Sequence, residues 1–242
     1  QFESSLHSNK DIERSKIRIQ RLKYVENVEV IKTKVSNASD LVDVTFDITE
    51  RKSGEFKVSA GWSDTDGAIF DIDLQQDNFL GYGNNVGLKA SKSTVNTSLQ
   101  FLLTDPYYTF DGVARTLNAT ISKTDVSSTS TSSYLSDTFS AGVMYDMPIS
   151  ETSTFGLGYD VSLTEFTTTI GSPIIVTHHI ADHGKTSLGI TLKTNYISDT
   201  RNRTIFADTG IRNSLSGSIF LGLDGASHLS MTHRTEFNRG HV

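Results

Sequence analysis

From Gly54 onward the chain alternates apolar and polar residues with a period of two, and it holds that period almost to its end. Successive side chains of an extended strand point to opposite faces, so each apolar row marks one face of one strand. Phe56, Val58, Ala60 and Trp62 form the first row, against Glu55, Lys57, Ser59 and Gly61. Ala68, Phe70, Ile72 and Leu74 form the second, Val86, Leu88 and Ala90 the third, and Val95, Thr97, Leu99, Phe101 and Leu103 the fourth. Val113, Leu117, Ala119 and Ile121 make the fifth, and Phe139, Ala141, Val143 and Tyr145 the sixth. Phe155, Leu157, Tyr159, Val161 and Leu163 are the seventh, Leu188, Ile190, Leu192 and Tyr196 the eighth, and Leu215, Gly217, Ile219 and Leu221 the ninth. Residues 227–237 give a weaker tenth.

A soluble β-sandwich and a transmembrane β-barrel both alternate in this way. Segments of about ten residues exceed the five or six typical of soluble strands and match the barrel pattern. No apolar run approaches the roughly 20 residues of a transmembrane helix. A mean hydropathy of −0.26 does not separate the two, because the inner face of a barrel is polar. The connections do separate them. Links near 63–66, 124–135 and 167–185 are polar, and two are long; those near 77–83, 105–111, 147–151 and 200–209 are shorter. The short links carry Phe79, Tyr82, Tyr107, Tyr108, Phe110 and Phe206. Long loops at one rim and an aromatic girdle at the other predict a membrane barrel.

Residues 1–52 differ from the rest. They hold 10 Lys+Arg against 9 Asp+Glu, whereas residues 53–242 hold 12 against 19. The acidic, base-poor long part argues against a nucleic-acid partner. The chain has no cysteine, which excludes disulfide staples, Cys-ligated zinc and a catalytic thiol. Ser8-Asn9-Lys10-Asp11 predicts a helix N-terminus, followed by Ile12, Ile19 and Leu22 at helical spacing. Asn27–Val35 reads as a strand, and Leu41–Thr49 as a second with Val42, Val44, Phe46 and Ile48 on one face. Gln1-Phe2-Glu3 lacks the basic and apolar regions of a signal peptide. The abrupt start and the close at Gly240-His241-Val242 read as those of a fragment.

Several stretches resemble one family. Gln75-Gln76-Asp77-Asn78-Phe79-Leu80-Gly81-Tyr82-Gly83 is similar to the turn between the second and third barrel strands of the BamA-like outer-membrane assembly factors. Asp105-Pro106-Tyr107, within Thr104–Gly112, resembles the next inner turn. Asp199, Arg201, Arg203 and Gly210, followed by Arg212, resemble the turn between the eighth and ninth strands. Arg21–Val28 and Val42–Glu50 resemble the end of a POTRA domain, the periplasmic module that precedes the barrel. The resemblance implies a fold of the end of an α/β POTRA domain (1–52) followed by about ten of sixteen strands of an outer-membrane barrel (53–242). The family's Val-Arg-Gly-Phe motif and its aromatic last residue are absent. Ten strands cannot close with the geometry of sixteen, so two edges are expected to stay open.

The resemblance further implies insertion of β-barrel proteins into the outer membrane, without enzymatic activity and without a cofactor. The first strand would offer its edge, Glu55, Phe56, Lys57, Val58, Ser59, Ala60 and Gly61, to an incoming strand through backbone hydrogen bonds. Implied partners are unfolded barrel clients, assembly lipoproteins on the periplasmic side and outer-membrane lipid. Gly54 and Gly61 either weaken that strand or mark its ends. A related POTRA-barrel secretion pore and a soluble β-rich binding module are the alternatives.

Other clusters read as structural. Lys89 is expected to meet Asp71 or Asp73 across the lumen. His178, His179, His183 and Asp182 fall in what reads as an external loop; their spacing could serve a metal, but a Thr-rich surface loop is the commoner explanation. Asp64 and Asp66 before Gly67 read as a hairpin turn, because the distal Glu of a calcium loop is missing. Gly81, Gly83 and Gly87 lack dinucleotide spacing. Arg201 and Arg203 are expected to pair with Asp199 or Asp208, with a lipid headgroup as the other reading. Ser127–Ser133 reads as a surface loop, and no nucleophile elbow marks a catalytic triad.

Overall fold

The computed structural model describes residues 8–20, 22, 24–35, 41–126, 134–201, 209–223, 225 and 227–239. Two compact units divide the chain: Gln1–Gly54 with Gln76–Asn78, and Glu55–Gln75 with Phe79–Val242.

In the first unit, helix α1 (Asn9–Gln20) precedes an antiparallel pair, β1 (Val25–Lys34) and β2 (Val42–Glu50). Ser8 caps α1 as its sequence predicts, accepting a hydrogen bond from Asp11 N on Oγ at 3.3 Å. Val28, Val30, Lys32 and Lys34 lie opposite Ile48, Phe46, Val44 and Val42. Ile12, Val25 and Val28 are the buried apolar side chains, the thin core that one helix on two strands can make.

The second unit is a sheet of ten strands: β3 (Gly54–Ser63), β4 (Gly67–Gln76), β5 (Asn85–Lys92), β6 (Asn96–Asp105), β7 (Ala114–Asp125), β8 (Tyr134–Pro148), β9 (Ser153–Thr168), β10 (Thr186–Asp199), β11 (Thr209–Gly222) and β12 (Ser227–Arg239). Their order in the sheet is their order in the chain, from β3 at one end to β12 at the other. All ten strands follow the alternation of the sequence.

Register turns that alternation into two chemically distinct faces. Val86, Leu103, Leu117, Val143, Tyr159, Leu192, Ile219 and Leu229 stand side by side across β5 to β12. One residue away, Gly87, Leu102, Asn118, Gly142, Asp160, Thr191, Phe220 and His228 form the row of the other face, which mixes polar side chains and glycine with Leu102 and Phe220. The apolar face is extensively exposed: Leu157, Tyr159, Leu163 and Leu229 are each over a third open, and no second layer covers them among the described residues. In water such a face would be a severe liability; in a bilayer it is the outer wall of a barrel.

Two features differ from expectation. Strands β8 to β11 run to 14–16 residues, longer than their apolar rows, because ladder pairing continues into polar ends such as Ser136 opposite Phe166. The 167–185 link is not a plain loop: Ile174–His183 form helix α2, entered after Pro173 and left at Gly184 with φ +89°. Within it His179 and His183, one turn apart, stack at 5.1 Å, and Phe166 meets His179 edge-on.

Candidate strand-pairing edge and the turns beside it

Strand β3 carries the predicted edge. Among the described residues it has one neighbour, β4, so half of its backbone N–H and C=O groups face outward. Phe56, Val58 and Trp62 on its apolar face are 66%, 62% and 76% exposed. On its polar face Lys57 pairs with Glu55 at 2.9 Å, and Ser59 Oγ donates to Asp71 Oδ2 at 3.1 Å. Asp71 also accepts from Ser91 Oγ at 2.5 Å. Lys89 meets Asp73 at 3.8 Å, which settles the expected pairing in favour of that carboxylate. These side chains are bound to one another along a polar wall, with the two serine hydroxyls and Lys89 satisfying the carboxylates of Asp71 and Asp73.

Gly61 lies inside β3 rather than at its end, and a Cβ there would touch nothing within 4 Å. Neither space nor backbone angle requires glycine at this position. Gly61→Val is therefore expected to leave folding intact and to strengthen the strand by up to about 1 kcal/mol. The check is the temperature at which the folded full-length protein loses its fast-migrating form in semi-native electrophoresis.

The turns that carry the family resemblance owe their residues to local demands. In the first, Asn78 (φ 51°), Leu80 (φ 55°), Gly81 (φ +80°) and Gly83 (φ +75°) are left-handed, a region where glycine is unstrained. Phe79 N closes the turn on Asn84 O at 2.7 Å. Gln76, Asp77 and Asn78 belong to the first unit, where Asp77 is buried. There Asp77 O accepts from Ser53 Oγ at 2.7 Å and from Gln76 Nε2 at 2.8 Å, and Asn78 Nδ2 donates to Glu50 Oε2 at 3.0 Å. In the second turn Asp105 Oδ1 accepts from Tyr107 N at 3.2 Å across Pro106, an Asx turn.

In the third turn Asp199 grips Arg201 with both oxygens, at 2.8 Å to Nε and 2.7 Å to Nη2. The Arg201 side chain is 10% exposed and also faces Glu236 at 3.6 Å. The hydrogen bond from Asp199 holds the guanidinium pKa above its ordinary value. Arg212 reaches Asp199 at 3.9 Å. The structure thus brings Asp199, Arg201 and Arg212 together, while Arg203 and Asp208 lie outside the described residues, as do Ser127–Ser133. Gly210 has φ +110°, and a Cβ there would stand 2.5 Å from Thr200 O.

One cluster on the polar face was not visible in the sequence. Asp160 is buried; it pairs with Lys193 and sits where a side chain on Gly142 would be, 1.8 Å from its Cβ position. Gly156 and Gly189 similarly leave room for Asn195 and for the Phe220 ring. Neighbouring strands fill each other's missing side chains, which depends on register and cannot be read from spacing along the chain.

Residues 78–240 match the Omp85 superfamily domain. The outer membrane protein assembly factor BamA of Neisseria meningitidis serogroup B is 36% identical over 155 residues, covering 62% of this chain and 19% of that protein. BamA of Buchnera aphidicola subsp. Acyrthosiphon pisum is 25% identical over 111 residues, 46% of this chain and 18% of that protein. The structure of BamA from Haemophilus ducreyi lacking POTRA domains 1–3 superposes with a TM-score of 0.74 at 25% identity, over 91% of this chain and 44% of that one. CdiB from Acinetobacter baumannii aligns at 0.52 and 15% identity over 90% and 41% of the two chains, a likeness of fold alone. The chain therefore spans about a fifth of the length of the curated relatives and under half of the two structures.

Proposed function

Because this chain belongs to the Omp85 superfamily, we propose that it is the barrel-entry part of an assembly factor that inserts β-barrel proteins into the outer membrane, with β3 receiving client strands. The observation that supports this reading most is the place of β3 as the first strand of the sheet, with β4 its one neighbour among the described residues and an exposed apolar face. An extended client strand adds to such an edge through main-chain hydrogen bonds, which do not depend on its side chains and so admit many clients. The apolar face stays in lipid while the client pairs, so its side chains need no second layer. In this reading residues 1–52 are the end of a POTRA domain in the periplasm, positioned to meet assembly lipoproteins. The work is strand pairing and needs neither a bond-making residue nor a cofactor.

The test is disulfide capture in the full-length protein, with single cysteines at Lys57 and Ser59 and a cysteine walked along a client's terminal strand. One register of the client should be captured, and moving from position 57 to 59 should shift the captured client position by two. A cysteine at Thr120, on interior strand β7, should capture nothing. Equal capture at 59 and 120, or none at β3 while clients still assemble, removes β3 from this role.

A further inference from the structure

Within its apolar row, between Val113 and Ile121, β7 carries the charged residue Arg115. Arg115 lies opposite Asp105 on β6 and Tyr145 on β8, two residues along the strand from Leu117, which stands opposite Leu103 and Val143. It therefore belongs to the face that carries the lipid-facing residues, close to the rim of short aromatic turns. Its guanidinium carbon stands 4.0 Å from the centre of the Tyr108 ring, and Tyr108 packs against Tyr145 at 5.9 Å. The stacking fixes the plane of the guanidinium. Arg115 Nε is covered and has no hydrogen-bond partner, and no carboxylate stands within 4.0 Å of the side chain among the described residues. The carboxylate opposite in register, Asp105, is turned to the backbone N–H of Tyr107 instead.

A held guanidinium on a membrane-facing surface, without an internal counter-charge, calls for an anion at the depth of the headgroups. Beside two tyrosines at a rim, the anion available at that depth is a phosphodiester, which accepts parallel N–H donors from a planar guanidinium. We propose that Arg115, with Tyr108 and Tyr145, binds the phosphate of a membrane phospholipid at the aromatic rim. The site anchors this part of the sheet at a fixed depth and is independent of client binding.

The experiment is native mass spectrometry of the full-length protein with added phosphatidylglycerol, and with diacylglycerol as the chain-matched lipid lacking phosphate. Wild type should retain phosphatidylglycerol over diacylglycerol. Arg115→Gln should lower that retention at least fivefold, Arg115→Lys should lower it less, and Tyr108→Leu should weaken it while Tyr108→Phe does not. Inorganic phosphate at 20 mM should not displace the lipid; displacement would assign the site to free anions and overturn the proposal. Retention by Arg115→Gln equal to wild type, or equal retention of the two lipids by wild type, overturns it as well. Should Arg115→Gln fail to fold, Arg115→Lys and Tyr108→Leu decide the matter by the same readout. No client is present in the assay, so its failure leaves the role of β3 untouched.

Discussion

A proline in β3 of the full-length protein is expected to stop client insertion at one of two adjacent positions and to damage the fold at the other. Backbone N–H groups of successive strand residues point to opposite sides, so of Lys57 and Val58 one donates toward β4 and the other toward the open side. Proline removes the donor and places a ring where a partner strand would lie. At the residue facing β4, the cost is a ladder bond and a lower unfolding temperature. At the outward residue the edge loses no internal bond, the protein folds normally, and client insertion falls by roughly tenfold or more, the equivalent of ~1.4 kcal/mol of strand pairing. Insertion of a radiolabelled client into proteoliposomes, read alongside the unfolding temperature of each variant, checks both halves. If both variants fold and insert clients at the wild-type rate, strand addition at this edge is wrong.

The second large effect is expected at Gly210. Its φ of +110° is outside the range of L side chains, and a Cβ would stand 2.5 Å from Thr200 O and 2.7 Å from Arg201 Cα, both backbone atoms that cannot step aside. Gly210→Val should cost at least ~3 kcal/mol, enough to loosen the turn that seats Arg201 on Asp199. Gly81 is the control. Its φ is +80°, yet a Cβ there meets nothing within 4 Å. Gly81→Ala should cost only the ~1–2 kcal/mol of a left-handed L residue. Urea titration of the two variants of the full-length protein, followed by tryptophan fluorescence, measures the difference. Equal midpoints would mean that the Thr200–Gly210 contact adds nothing.

The ten strands were legible because most of the apolar rows are long and keep a period of two, and each strand pairs with its neighbours in the chain. The turns were legible through their resemblance to the family's motifs, and the structure gives the physical reason for their glycines: Gly81, Gly83 and Gly210 all sit where the backbone takes a positive φ. Helix α2 was passed over although its punctuation was present, Pro173 before it and Gly184 after it. Its ten residues lack a single apolar stripe, with Ile174, Ile175 and Val176 adjacent rather than a turn apart, so periodicity gave no signal. The Asp160–Lys193 pair was hidden because 33 residues separate its members in sequence, and only the registers of β9 and β10 with one another bring them together. The cation at Arg115 was skipped for the opposite reason: the apolar row reads cleanly through Val113, Leu117 and Ala119 when that position is left out.

Every pairing in the ten-stranded sheet joins strands consecutive in the chain. Such a sheet has low contact order and grows by zippering, each hairpin closing a short link before the next is drawn in. Ser63 and Gly67 stand only a three-residue link apart, 64–66, whereas pairing β3 with a strand beyond β12 would close a loop of at least roughly 175 residues. By the logarithmic scaling of flexible loops that difference amounts to about 3 kcal/mol of chain entropy. In a longer protein a joint between β3 and such a strand would be the last to form for reasons of chain connectivity alone, before any side chain or glycine at that strand contributes.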